Sequence, residues 1–256
     1  MSTPLAVTWW GHSSTTVELD GVRVTTDPVL VDRLWHLRRH TLTPPPTSLD
    51  TDIVLVSHLH TDHLHEPSLV RFAADVPVVV PRGAARLLPR LDRSRVLEVA
   101  PGETIEVAGL QVEILPAHHD GRRFPWLRHE APAIGFRVAG PTHAFWFPGD
   151  TGMREGFADV ASVDLALVPI GGWGPSLGPE HLDPAEAVVA TEQVGARWTM
   201  PVHYGTFWPL GLERMRPAAH RHFFDSPPVR FAQEAERYDV GELVIPPPGE
   251  RRVLVP

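Results

Sequence analysis

The most concentrated set of potential metal ligands in the sequence is the segment 57–63, which reads SHLHTDH. Its ligand-type side chains are those of His58, His60, Asp62 and His63. Alternate residues of an extended segment point to the same side, so His58 and His60 can bind one ion. Asp62 and His63 follow where the chain turns, and they can face a neighbouring ion. The chain has no cysteine, so a metal site must use nitrogen and oxygen donors, which suit zinc.

The elements that must position these ligands are core strands, because a wholly apolar run at 53–56 leads directly into the segment. The remaining ligands are expected where other apolar runs end. Three such runs, at 112–115, 144–147 and 198–202, are followed by the pair His118 and His119, by Asp150 and by His203. A His, an Asp and a His at strand ends complete a site for two ions, with Asp150 as the bridging ligand.

Strand-like and helix-like apolar segments alternate along the chain, which favours an α/β fold. The two halves look alike, each with strands first and then alternating strands and helices. We therefore expect a single domain over 1–256, built as a two-sheet sandwich with helices outside.

Local signals predict where several elements lie. Asp183 and Pro184 are expected to cap and begin a helix that runs to about residue 194. Shorter helices are expected at 67–74 and 84–91. The segment 33–50 has no clean periodicity and three successive prolines, which predicts a loop. An irregular tail is expected after the strand at 198–202.

The overall charge bears on the class of partner. The net charge is −8, which argues against broad nucleic-acid binding. Arg122, Arg123 and Arg128 lie close together and are interpreted as solvated surface rather than as a phosphate clamp. No signal peptide is evident at the start, and no apolar run approaches the roughly 20 residues that span a bilayer. We expect a cytoplasmic protein with a small-molecule substrate and no membrane insertion.

The sequence resembles a known family, the metallo-β-lactamase superfamily, because SHLHTDHLH matches the HxHxDH signature. The similarity extends to a branch that includes N-acylphosphatidylethanolamine-hydrolysing phospholipase D and L-ascorbate-6-phosphate lactonase. Matching stretches occur in family order over nearly the whole chain; among them are TWWGHSSTTVELDGVRVTTDP, FPGDTG, VPIGG, HLDPAEAV and PVHYGTF. The resemblance implies a four-layer αββα sandwich of two mixed sheets with helices on the outer faces.

The resemblance also implies a ligand set for two divalent ions, with Asp150 shared between them. It assigns His58, His60 and His119 to one ion, and it favours His119 over His118. It assigns Asp62, His63 and His203 to the other.

Further residues match family positions around the site. His181 falls where phospholipase-like members carry a histidine in the substrate pocket. His12 and Asp27 match positions near strand ends and are interpreted as groups that support the ligands. The Trp173 loop and the loop from Trp35 to Pro46 are expected to wall the pocket. His65 replaces the aspartate that commonly ends the motif, so the support of the ligands is expected to differ there.

The expected chemistry is hydrolysis by a hydroxide that two ions share near neutral pH. Zinc is the expected metal, although manganese, iron and nickel suit the same donors. Asp62 would orient the nucleophile, and His181 would protonate the leaving oxygen or stabilise the developing charge. A phosphodiester-type substrate is expected. The alternatives are a lactonase acting on a sugar-phosphate lactone and, outside the enzymes, a non-catalytic metal or ligand sensor. The sequence leaves the oligomeric state open.

Overall fold

Strands are the main regular elements of the structure, and those at its centre are buried along their whole length. The computed structural model describes residues 4–124, 129–172 and 178–255. In chain order, its strands are β1 (Leu5–Gly11), β2 (Ser14–Leu19), β3 (Val22–Thr26), β4 (Arg33–Leu34), β5 (Leu37–Arg39), β6 (Ile53–Leu55), β7 (Val78–Pro81), β8 (Val96–Val99), β9 (Thr104–Val107), β10 (Leu110–Pro116), β11 (Ile134–Ala139), β12 (Ala144–Phe147), β13 (Leu165–Pro169), β14 (Trp198–Val202), β15 (Phe207–Pro209), β16 (Glu242–Leu243) and β17 (Arg251–Leu254).

The helices are few and mostly short. The α-helices are α1 (Glu66–Leu69), α2 (Pro184–Val194), α3 (Leu212–Met215), α4 (Pro217–His220) and α5 (Pro227–Ala235). Single turns of 3-10 helix cover Pro46–Leu49, Ala84–Leu87 and Arg93–Arg95, and a π-helical turn covers Arg221–Asp225. Among the described residues, no helix is long and apolar enough to cross a membrane.

Within the described ranges, the strands form two seven-stranded sheets and one small sheet. The first has the order β17-β1-β2-β3-β6-β7-β8, and the second has the order β16-β14-β13-β12-β11-β10-β9. Because β2 is antiparallel to both of its neighbours and β3 pairs parallel with β6, strands β1, β3 and β6 run in one direction. By the same reasoning, β10, β12, β13 and β14 run in one direction in the second sheet. Both sheets are therefore mixed.

The core is divided into an inner layer and two outer layers because side chains alternate along the strands. On β12, Phe145 and Phe147 pack between the sheets, whereas Trp146 packs outside against α2 and α5. On the first sheet, α1 and the turn Ala84–Leu87 cover the outer face. The expected four-layer αββα sandwich is confirmed, with thin helical layers. Division of the chain into one domain with two similar halves stays a prediction.

Helix α2 begins and ends where the sequence predicts. The Asp183 side chain accepts hydrogen bonds from the backbone N–H groups of Ala185 and Glu186, and the Glu186 side chain accepts one from the backbone of Asp183. This capping box satisfies N–H groups that have no partner inside the helix. Gly195, with φ of +69°, ends the helix in the left-handed conformation.

The predictions that failed are those for segments with weak local signals. The expected loop at 33–50 contains the hairpin β4–β5, which pairs with β15 in the third sheet. The helices expected at 67–74 and 84–91 shrink to single turns. The expected irregular tail instead contains α5, because Phe231 and Ala235 lie four residues apart and bury one face against the layer of α2.

Candidate metal centre

Parallel strands place the predicted ligands at one edge of each sheet. In the first sheet, β1, β3 and β6 end just before His12, Asp27 and the pair Ser57 and His58. In the second sheet, β10, β12 and β14 end just before His119, Asp150 and His203. The ends of parallel strands meet at a common sheet edge, and the two edges face each other across the site. The side chains that follow core strands in the sequence therefore come together at one place in the structure.

The backbone leaves several of these strands by a sharp change of direction. His12, Asp27 and His203 have φ of +54°, +34° and +63°, in the left-handed region that residues other than glycine avoid. Such conformations are costly and concentrate at functional sites. Gly149 also has positive φ, and a Cβ atom there would lie 2.4 Å from Ser57 Cβ. Only glycine thus lets the Asp150 segment pack against the end of β6.

One group of three imidazoles forms the outer half of the centre. His58 Nε2 lies 3.0 Å from His60 Nδ1, and His119 Nε2 lies 3.1 Å from the same atom. Their ligand atoms all fall within 4.8 Å of one another. His118 is exposed, and its backbone N–H and C=O bond to the Thr151 and Gly152 segment. The structure therefore brings His119, and not His118, to the centre.

A second group forms the inner half. His63 Nε2 lies 3.2 Å from His203 Nε2, and the carboxylate of Asp62 lies 3.8 Å from the first and 4.0 Å from the second. His12 joins the same group, because its Nε2 lies 3.0 Å from Asp62 Oδ2. Burial and the neighbouring His203 lower the pKa of His12 to about 4, so its ring is neutral at pH 7.

Asp150 lies between the two groups. Its Oδ2 is 3.3 Å from His63 Nε2 and 3.1 Å from His203 Nε2, and it also falls within the ligand-atom group of His119 and His181. The side chain is 3% exposed, yet its Oδ1 has no hydrogen-bond partner among the described residues. A buried carboxylate oxygen without a donor is costly, and a cation is the natural partner for it.

In His63, His203 and His119, the ring nitrogen that faces away from the centre is held by a specific partner. His63 Nδ1 donates to Asp27 Oδ2 at 2.6 Å. His203 Nδ1 donates to the carbonyl oxygen of Gly171 at 2.7 Å, and His119 Nδ1 donates to that of Glu180 at 3.0 Å. Because a carbonyl can only accept, these contacts leave the Nε2 lone pairs facing the centre.

Converging lone pairs and carboxylates make this donor set fit metal ions. Burial lowers the pKa of His58 and His60, and it lowers that of His119 to about 4, so these rings are neutral. Burial also opposes protonation of His63, but the surrounding carboxylates, Asp150 foremost, outweigh it and raise its pKa. Divalent metals bind neutral imidazoles and ionised carboxylates, so an ion that binds here would displace the proton that the carboxylates favour on His63.

The centre opens into a cleft of about 410 Å³. The residues that line it are Leu34, Trp35, His36, Leu37, His60, Thr61, Asp62, Arg123, Phe124, Asp150, His181 and His203. His181 is at the wall, with its Nε2 3.6 Å from Asp150 Oδ2, so the structure brings it to the site. Trp173, expected to wall the pocket, lies outside the described residues.

Arg123 departs from the expectation of a solvated surface cluster. It lines the cleft, and its Nη1 donates to the carbonyl oxygens of Leu59 and Leu64. Arg122, by contrast, is exposed and pairs with Asp120. Arg128 lies outside the described residues. Sequence reasoning missed the role of Arg123, as it missed Gly171 and Glu180, because bonds to backbone carbonyls leave no residue pattern.

The chain is similar to known proteins in sequence and in fold. A family described as the β-lactamase superfamily domain matches residues 23–204. An uncharacterised protein of Mycobacterium tuberculosis is 34% identical over 96% of this chain and 68% of its own length. The N-acyl-phosphatidylethanolamine-hydrolysing phospholipase D 1 of Caenorhabditis elegans is 34% identical over 81% of this chain, which spans 65% of that protein.

A metal-dependent hydrolase of Methanopyrus kandleri is 29% identical over 96% of the chain and 98% of its own length. Among solved structures, a metallo hydrolase of Ignicoccus hospitalis superposes with a TM-score of 0.72 at 22% identity, over 99% of each chain. That likeness supports the fold, and the sequence matches support the family. This chain belongs to the β-lactamase superfamily domain family and is a metal-dependent hydrolase of the metallo-β-lactamase superfamily.

Proposed function

We propose that this protein is a dinuclear hydrolase that cleaves phosphodiester-type substrates. The observation that carries the proposal is the position of Asp150, a buried carboxylate between two groups of possible ligand atoms, with one oxygen that has no hydrogen-bond partner in the described part of the chain. A carboxylate in this position can bridge two ions. The similarity to a phospholipase D, together with the cationic Arg123 in the cleft, favours a phosphodiester over a neutral ester.

The proposed ligand set divides between the two groups. His58, His60 and His119 would hold one ion. Asp62, His63 and His203 would hold the other, and Asp150 would hold both. Zinc is the proposed metal, because imidazole and carboxylate donors suit it and the chain has no thiolate. Ions bound here would lower the pKa of a water molecule and polarise the phosphoryl oxygens.

The chain's own residues would supply orientation and a proton. His12 holds Asp62 through a 3.0 Å hydrogen bond, which fixes the carboxylate that orients the attacking water. His181 lines the cleft and faces Asp150, where it can donate a proton to the leaving oxygen. Hydrolysis would add a hydroxyl group to phosphorus, break the P–O bond to the leaving group and deliver the proton to that oxygen.

The direct test is turnover of bis-p-nitrophenyl phosphate by protein loaded with zinc or manganese. Release of p-nitrophenol is expected, at a rate that falls when the metal is removed by chelation. Hydrolysis of a sugar-phosphate lactone with no release of p-nitrophenol would replace the proposal with a lactonase. A metal-replete protein that hydrolyses no ester at all would favour a sensor.

The ligand assignment has its own test, in the metal content of Asp150→Ala. Removing the shared carboxylate should reduce the zinc content from two ions per chain to one or none. The matched control is Glu155→Ala, which removes an exposed carboxylate from the same segment and should keep both ions. Two ions per chain in Asp150→Ala would show that the assignment is wrong.

A further inference from the structure

The turn of the β4–β5 hairpin carries an unexpected residue. Leu34 pairs with Leu37, so the connection consists of only Trp35 and His36. Trp35 has φ of +55°, and two-residue hairpin turns favour Gly, Asn or Asp at positions with positive φ. A bulky residue in this conformation is strained, and Trp35 is 65% exposed. Neither backbone geometry nor burial therefore accounts for a tryptophan here.

What the indole does contact is the wall of the cleft. Its ring lies 5.0 Å from that of Phe124, centroid to centroid, with an angle of 25° between the planes. Phe124 comes from the segment after β10, so the two rings meet from separate parts of the chain. Both line the same cleft as His60 and Asp150. A stacked aromatic pair is thus held beside the metal centre with much of one ring open to solvent.

The remaining lining limits what the pair can bind. The cleft volume of about 410 Å³ is near the lower end for ligand sites, which suits a compact group rather than a long acyl chain. Leu34 and Leu37 extend the apolar wall from the hairpin, and Arg123 adds a positive charge. A flat ring attached to an anion matches this combination of an aromatic surface, a short apolar wall and a cation.

We propose that the substrate is an aryl or similarly planar aromatic phosphoester whose ring stacks on Trp35, which makes Trp35 a specificity-determining residue. This inference rests on the proposed function. Stacking on an exposed aromatic face favours planar rings over saturated rings of the same size. The strained turn would then be kept for recognition, since it holds the indole at the cleft.

The test compares two ligands that share one anion and differ only in ring shape: phenylphosphonate and cyclohexylphosphonate. Their affinities for the zinc-loaded protein are measured by isothermal titration calorimetry, which needs no turnover. The wild-type protein should bind the phenyl compound about threefold to tenfold more tightly. Trp35→Phe should keep most of that preference, and Trp35→Gly should remove it while still binding both phosphonates.

Thermal unfolding separates recognition from a structural role. Glycine suits the positive φ, so Trp35→Gly should unfold at the same temperature as the wild type or higher. If the wild type bound the two phosphonates equally, or if Trp35→Gly kept the preference for the phenyl compound, the stacking role of Trp35 would be wrong. The proposed phosphodiester hydrolysis would be unaffected by either result. Absence of phosphodiester hydrolysis in the presence of a clear phenyl preference would overturn the proposed function instead.

Discussion

A histidine ring has two nitrogens. In His63, His119 and His203, the hydrogen-bond partner of Nδ1 decides that Nε2 faces the centre. Asp27 shows this most fully. Its buried carboxylate accepts from the backbone and the hydroxyl group of Ser57, at 2.7 and 2.6 Å, and from His63 Nδ1 at 2.6 Å. Ser57 in turn lies 3.0 Å from His58 Nδ1. One carboxylate therefore orients ligands of both groups.

Replacing Asp27 with asparagine tests this support. The amide keeps the size of the side chain, but it loses the charge and cannot accept all three bonds. We expect zinc affinity to fall by about 10-fold to 100-fold, measured by competition with a chromophoric chelator. Asp50→Asn, an exposed position, is the control and should match the wild type. Zinc affinity of Asp27→Asn within twofold of the wild type would show that the carboxylate does not orient the ligands.

At this scale, the sequence predicts side chains but not their backbone partners. His203 and Asp150 could be picked out because each follows an apolar run and has a side chain suited to metals. The carbonyls of Gly171 and Glu180, which hold His203 and His119, could not be found, since every residue has a carbonyl. The resemblance was needed to choose between His118 and His119.

At the scale of elements, the position of the loop 59–64, which carries His60, Asp62 and His63, depends on contacts from another segment. The Arg123 guanidinium reaches from the segment after β10 and donates from one nitrogen to the carbonyls of Leu59 and Leu64. These two residues flank His60, Asp62 and His63, so a single side chain ties both ends of the loop. Burial lowers the pKa of Arg123, yet the group stays charged at neutral pH.

Arg123→Met should loosen the loop and lower zinc affinity by about tenfold. Arg123→Lys should recover part of the loss, because both carbonyls are bonded from one nitrogen and an ammonium group can serve both. The control is Arg122→Met, since Arg122 is exposed and its guanidinium bonds to Asp120, two residues away. Amide hydrogen exchange over residues 59–64 should rise in Arg123→Met alone. Unchanged exchange and affinity in that variant would remove Arg123 from the positioning of the loop.

Elements with complete local signals were predictable, and those that depend on distant partners were not. Helix α2 carries its cap and its stop within its own sequence, so its bounds could be predicted. The β4–β5 hairpin has strands of two and three residues and pairs with β15, far along the chain. Arg39 further holds it by donating to the carbonyls of Trp10 and Val29. The local pattern of apolar residues cannot predict contacts with such distant parts of the chain.

At the scale of the whole molecule, the two sheets are joined at both edges. The metal centre lies where the parallel strands end. At the opposite edge, Asp20 in the β2–β3 turn accepts hydrogen bonds from Thr142 and His143 in the β11–β12 turn. This contact connects the first sheet to the second. The alternation of strands and helices predicts two sheets, but it does not predict which turns meet.

Loss of the Asp20 contact should destabilise the fold in a pH-dependent way. Burial raises the pKa of Asp20, but hydrogen bonds from Thr142 and His143 outweigh it and lower the pKa below its ordinary value. A carboxyl group with a depressed folded-state pKa contributes stability above its unfolded pKa of about 3.9, and this contribution is lost as the pH falls through the folded-state value. Asp20→Ala should therefore unfold more easily at pH 7, by about 1 kcal/mol, because the partly solvated carboxylate gives less than a buried one. Urea titrations from pH 7 to pH 3 should show the difference in free energy of unfolding between Asp20→Ala and the wild type narrowing below about pH 4.

The control is Asp159→Ala, which changes an exposed carboxylate. Its free energy of unfolding should stay within about 0.5 kcal/mol of the wild type throughout. A gap for Asp20→Ala of the same size at pH 3 and pH 7 would mean that the ionised carboxylate does not hold the two turns together.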